Sequence, residues 1–122
     1  MAPERGEVVG LRASNPHELA PGVTMRPLFG EGAMLNLLEF APNARVPVHD
    51  HPHEQLGYVL EGELVLEIDG VEHLLGAGDA YRIAGGTPHA AWSYGPCVVL
   101  DVFDPVREDY LQRAAGWRET NV

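Results

Sequence analysis

Three histidines crowd into His49-Asp50-His51-Pro52-His53, and another, His89, follows the turn Gly85-Gly86-Thr87-Pro88. A neutral imidazole offers a lone pair to a divalent transition metal. On a strand, His49 and His51 project from one face, and Gln55 and Gly57 share their parity. A His-x-His pair needs further ligands from elsewhere in the chain, and His89 is the obvious donor. The alternative is a set of loop histidines with no metal. Asp101 lies inside the apolar run Val98-Val99-Leu100-Asp101-Val102-Phe103, where a carboxylate is costly unless it is paired or functional. It reads as a general acid/base or as half of a structural ion pair with an Arg. Arg107 could clamp a substrate carboxylate, or pair at the surface with Glu108 or Asp109. Arg82, which alternates with Tyr81 and Ile83, is a further pocket candidate. Tyr58, Trp92 and Phe103 are candidates for a pocket floor or for core.

Composition narrows the chemistry around this cluster. The chain has 122 residues, 8 basic against 18 acidic, a net charge of −10 and one Cys. All the basic residues are Arg, so a Schiff-base lysine and a P-loop lysine are excluded. A single Cys excludes an intrachain disulfide and any multi-Cys zinc or iron–sulfur site. The acidic balance argues against nucleic acid or an anionic membrane surface as partner. No stretch is long and apolar enough for a transmembrane helix, and the N-terminus has no apolar core of a signal peptide. The expectation is a cytoplasmic protein with a small-molecule substrate. Cys97, in an apolar run, reads as a buried inert thiol.

The elements that must hold these residues are short strands. The 14 Gly and 10 Pro are spread as punctuation, and strands are expected over 23–28, 34–40, 56–60, 63–68, 71–75, 80–83, 90–93 and 98–103. Leu64, Leu66 and Ile68 alternate with Glu63, Val65 and Glu67, and Asp69-Gly70 then predicts a tight hairpin. Eight such strands predict an all-β antiparallel sandwich or barrel such as a jelly roll. One helix is expected at the C-terminus: Asp104 as cap, Pro105 at the first helical position, Val106, Tyr110 and Ala114 on one face, and Gly116 as stop. Asn15-Pro16-His17-Glu18 reads as a turn or helical start. Residues 1–10 read as disordered, or as an edge strand added to a partner subunit.

Two segments carry a family resemblance. His49-Asp50-His51-Pro52-His53-Glu54-Gln55, continuing to Gly62, resembles the first cupin motif. Gly78 to Ser93, through Gly85-Gly86-Thr87-Pro88-His89, resembles the second. The 15 residues between Gly62 and Gly78 match the compact spacing of small microbial cupins. The sequence departs from the motifs at Asn43, Ala84 and Ser93, and the usual Glu ligand position holds Gln55. The resemblance implies a cupin-type jelly-roll β-barrel over residues 1–122. It also implies a homodimer and one divalent transition metal on His49, His51, Gln55 and His89, with Zn, Ni, Fe, Mn and Cu not distinguished. His53 matches no ligand position and reads as a pocket or supporting residue.

An amide in place of the carboxylate leaves the implied site more positive, which favours Lewis-acid chemistry over oxidation. The run Asp101–Leu111, with the His-x-His-Pro-His-Glu-Gln segment, resembles the pectin-degradation cupins, which help convert unsaturated uronates to linear 4-deoxy-5-keto sugar acids. That resemblance implies an isomerase-type role for Asp101 and Arg107, with Phe103 in the pocket. Two other readings stay open: a polyketide cyclase or cupin dioxygenase, and a non-catalytic, metal-stabilised sugar-binding or sensor module.

Overall fold

The computed structural model describes residues 5–121, of which 115–121 by backbone alone. Ten strands and one helix follow a short 3₁₀ turn at Leu11–Ala13. The strands are β1 (His17–Ala20), β2 (Val23–Phe29), β3 (Met34–Phe40), β4 (Arg45–His49), β5 (Glu54–Glu61), β6 (Glu63–Ile68), β7 (Val71–Gly76), β8 (Ala80–Ile83), β9 (His89–Trp92) and β10 (Cys97–Asp104), and the helix is α1 (Glu108–Asn121). A six-stranded sheet, in the order β1-β2-β3-β10-β5-β8, faces a four-stranded sheet, in the order β4-β9-β6-β7. Every paired strand is antiparallel.

Alternation along the strands builds the interior. Cys97, Val99, Asp101 and Phe103 on β10 are buried, while the residues between them are half-buried. Leu64 and Leu66 on β6 face the same core as Met25, Leu38, Phe40 and Val59. The expected hairpin forms at Asp69-Gly70: both residues take positive φ, 50° and 82°, and Ile68 pairs with Val71. A two-residue loop needs such angles to match the strand twist. Leu64 is 1% exposed at the centre of this core. Leu64→Ala is expected to cost about 2–5 kcal/mol, read as a lowered denaturation midpoint at unchanged m-value.

Several expectations require correction. His17–Ala20 is a strand paired with β2 and not a turn or helical start. β4 falls outside the expected strand ranges, although a strand is expected to carry His49. His51 lies in the connection between β4 and β5, not on a strand shared with His49. The helix begins at Glu108, because pairing with Glu54 carries β10 through Asp104. The carbonyl of Arg107 accepts the first helical hydrogen bond, from the Leu111 N–H at 3.0 Å. Asp104 and Pro105 therefore precede the helix. Gly116 does not stop it, since the backbone stays helical to Asn121. Tyr110 and Ala114 are buried as expected, and Val106 packs against the core from the segment before the helix. Of residues 1–10, 1–4 lie outside the described residues and 5–10 form no regular element.

Candidate metal centre

His49 ends β4, His89 begins β9, and the two are paired across the small sheet. His51 reaches the same point from the β4–β5 connection. That connection is tied to the turn before β9: the Gly86 N–H donates to the His51 carbonyl at 2.7 Å. A Cβ on Gly85 would sit 2.2 Å from the Pro52 carbonyl oxygen. Only glycine lets the two loops pack this closely, so Gly85 sets the distance between the histidines.

The candidate ligand nitrogens of His49, His51 and His89 lie within 4.8 Å of one another. Each ring is anchored through Nδ1 to a backbone carbonyl two residues away: His49 to Pro47 at 2.8 Å, His51 to His53 at 3.1 Å and His89 to Thr87 at 2.8 Å. An anchored Nδ1–H fixes the tautomer and leaves Nε2 as the lone-pair donor. Nε2 of His89 is buried with no hydrogen-bond partner. Oε1 of Gln55 lies 3.2 Å from Nε2 of His51, so two acceptors face each other where a shared cation would relieve the repulsion. Burial, and then the nearby Arg107 charge, lowers the His51 pKa to about 4; burial also lowers that of His89. Both imidazoles are thus held neutral. The three histidines with Gln55 fit a divalent metal by donor type, tautomer and charge.

This cluster opens on a narrow cleft. Gln55, Tyr81, Asp101 and Arg107 give its lining polar groups, and Phe103 lines it with them. Asp101 is 2% exposed and accepts a hydrogen bond from the Tyr81 hydroxyl at 2.5 Å. Burial raises its pKa to about 6 against the opposing pull of hydrogen bonds from Tyr81 and Gln55 and of the Arg107 charge. A carboxyl near neutrality can both give and take a proton. The Tyr81 hydroxyl is pushed well above its usual range, by burial first and by Asp101 second, and stays a donor.

Arg107 is 7% exposed, so it is no surface residue. Its Nε and Nη2 donate to Asp109 at 3.2 and 2.7 Å, and its Nη1 donates to the Tyr110 hydroxyl at 2.9 Å. The guanidinium also lies over the rings of Tyr110 and Phe103, at 3.8 and 5.0 Å from their centroids. Phe103 meets His51 edge-on at 5.5 Å.

Three expected pocket residues lie elsewhere. Tyr58 is 44% exposed on the outer face of β5, and Arg82 is exposed on β8. Trp92 lies under the Arg45 guanidinium, which is 4.4 Å from its ring centroid, beside a separate surface hollow. All three have the strand parity opposite to the cavity-facing residues. The His53 ring is edge-on to His51 at 5.5 Å, outside the ligand group, and its carbonyl anchors His51. The expectations named no role for Tyr81, although it shares parity with buried Ile83. That parity was the available signal.

A two-sheet antiparallel barrel with three histidines converging at its mouth defines the class. The chain belongs to the cupin family: residues 36–103 match the Cupin domain. The pectin degradation protein KdgF of Dickeya dadantii is 31% identical over 97 residues, covering 77% of this chain and 88% of that protein. The structure of KdgF from Halomonas sp. superposes with a TM-score of 0.80 at 28% identity, covering 86% of this chain and 98% of that one. The polyketide cyclase RemF of Streptomyces resistomycificus gives 0.76 at 27% identity, covering 84% and 82%.

Proposed function

We propose that residues 1–122 form one catalytic domain, a metal-dependent, non-redox cupin that opens the ring of a small unsaturated uronate. One observation carries this reading: Asp101 and Arg107 line the same cleft as His49, Gln55 and His89. A divalent metal on His49, His51, His89 and Gln55 would supply Lewis-acid polarisation of a substrate oxygen. Arg107 uses one N–H of each terminal nitrogen on Asp109 and Tyr110. The second N–H of each remains for a substrate carboxylate. Asp101 takes the proton of the anomeric hydroxyl as the bond from the anomeric carbon to the ring oxygen breaks, so that the anomeric carbon becomes an aldehyde and the ring oxygen leaves as the enolate on C5. Asp101 then returns the proton to C4, leaving a ketone at C5. Phe103 packs beside the substrate and keeps water from the carboxyl. The resemblance to the two KdgF proteins supports the same substrate class.

A second reading is favoured by the inner wall of the cleft. Leu38, Phe40, Leu64, Leu66 and Val99 make it apolar, which suits an aromatic polyketide, and RemF is a structural neighbour. Turnover assays on an unsaturated uronate and on a polyketide cyclase substrate, each with and without oxygen, test the two together. Oxygen-independent consumption of the uronate alone is expected. Consumption of only the polyketide, or an absolute need for oxygen, would overturn the leading reading.

The active form in this reading is a homodimer. Leu56 and Tyr58, 43% and 44% exposed, lie beside Val102 and Leu100 on the outer face of the large sheet. An apolar sheet face of this kind supports self-association. Light scattering of wild type is expected to give the mass of two chains, and of Leu56→Glu/Tyr58→Glu the mass of one. A monomeric wild type would sink the proposal.

A further inference from the structure

Tyr81, Gly57 and Asp101 lie in one row across three adjacent strands. Gly57 on β5 is the cross-strand partner of Tyr81 on β8 and also of Asp101 on β10. Tyr81 and Asp101 are therefore two strand spacings apart, roughly 9–10 Å between backbones. Side chains so separated do not ordinarily meet, because the residue on the middle strand stands between them. Here the phenol lies across the middle strand and its hydroxyl reaches Asp101 Oδ1 at 2.5 Å. The space it occupies is where a side chain at position 57 would start. A Cβ built on Gly57 would sit 2.0 Å from Tyr81 Cζ and 2.3 Å from both Cε2 and the hydroxyl oxygen. Gly57 does not have positive φ, so the requirement for glycine is one of space and not of backbone conformation.

We propose that Tyr81 is the positioning residue of the site and that Gly57 is what permits it: the phenol pins one oxygen of Asp101 and turns the other toward the bound substrate. The inference rests on the uronate reading and goes one step deeper, by assigning the group that aims the acid/base. Asp101 belongs to an interior strand row whose next member is Asn36 on β3, and Asn36 Nδ2 is spent on a long contact to the Met25 sulfur at 3.8 Å. Tyr81 makes the short direct hydrogen bond to Asp101, and Gln55 also bonds to it. Among the described residues, removing the phenol hydroxyl leaves the carboxyl held by Gln55 alone and free to shift. Tyr81 is also within hydrogen-bonding reach of Gln55, so the same hydroxyl links the acid/base to the metal-facing amide.

The test uses purified, metal-loaded protein and four variants: Tyr81→Phe, Gly57→Ala, Gly57→Ala/Tyr81→Val and Asp101→Asn. Tyr81→Phe keeps the ring and its packing and removes only the hydroxyl. It is expected to retain metal content and KM within about twofold and to lose about 10–100-fold in kcat, the scale of a misplaced catalytic group. Gly57→Ala displaces the ring, so it should lower both the melting temperature and kcat. Gly57→Ala/Tyr81→Val removes the clash: its melting temperature should recover toward wild type while its kcat stays low. That separation of stability from turnover is what a purely structural tyrosine would not produce. A second readout needs no substrate. A 2.5 Å O–H···O bond should give a strongly downfield phenolic proton resonance in wild type, absent in Tyr81→Phe and moved in Asp101→Asn. Wild-type kcat in Tyr81→Phe while Asp101→Asn is impaired would overturn the positioning role and leave the uronate reading intact. Absence of turnover in wild type would overturn that reading, and the resonance would then still decide whether Tyr81 pins Asp101. A spectrum without it would overturn the inference on its own.

Discussion

His51→Ala is expected to strip the protein of its metal and to abolish turnover. The residue sits at the centre of the site, with ring centroids 5.7 Å from His49 and 4.9 Å from His89, and Gln55 Oε1 3.2 Å from its Nε2. It is 6% exposed, so no other side chain or water readily takes its place. Losing a partner that merely orients a ligand costs about 10–100-fold in metal affinity, and losing the ligand itself should cost more. Metal content by plasma mass spectrometry after dialysis, with a competition titration, gives the number. His53→Ala is the control. Position 53 supports His51 through a backbone carbonyl, which alanine retains, so that variant should keep its metal. Equal loss in both variants would show that the cluster has been drawn around the wrong imidazoles.

Asp101→Asn is expected to lower kcat by about 10²–10⁴-fold, the range for removing a general acid/base, with metal content unchanged. Asparagine has nearly the shape of aspartate and keeps an oxygen to accept from Tyr81, so the buried row on β10 is preserved. What it removes is the ability to take and return a proton. The melting temperature should therefore stay close to wild type, which separates this variant from a folding defect. Full turnover with metal bound would show that the proton moves elsewhere, and the acid/base assignment would fail.

The sequence exposes some of this arrangement through periodicity. Leu64, Leu66 and Ile68 mark an inward face, Asp69-Gly70 marks a hairpin, and both lie where the structure has them. Asp101 stands out because a lone carboxylate in an apolar run must have a reason, and its depth in the cleft supplies one. The misplaced pocket residues share a physical cause. Tyr58 is three residues from Gln55, and Trp92 three from His89. Arg82 is one residue from buried Ile83. On a strand, odd separations point to opposite faces, so residue type suggested a pocket where parity forbade it. Tyr81 has the correct parity, but it lies two strand spacings from Asp101 and reaches it only across Gly57 on the strand between them, and a pairing between distant segments leaves no trace in local sequence. The convergence of His51 was expected from strand geometry and arises differently. It is held by the carbonyl of His53 and by the N–H of Gly86 from a loop some thirty-five residues further along the chain. The helix starts later than its local signal suggests, because Asp104-Pro105 is a good capping sequence that β-pairing with Glu54 overrides.

In the proposed function this cleft opens an unsaturated uronate ring with the metal bound. The most direct measurement incubates a 4,5-unsaturated uronate with the metal-loaded protein and follows loss of the conjugated double bond by ultraviolet absorbance, with the product identified by NMR. Conversion to the linear 4-deoxy-5-keto acid well above the protein-free rate is expected, abolished by chelator and restored by metal. A rate equal to that of the protein-free control, with metal confirmed in the site, would contradict it.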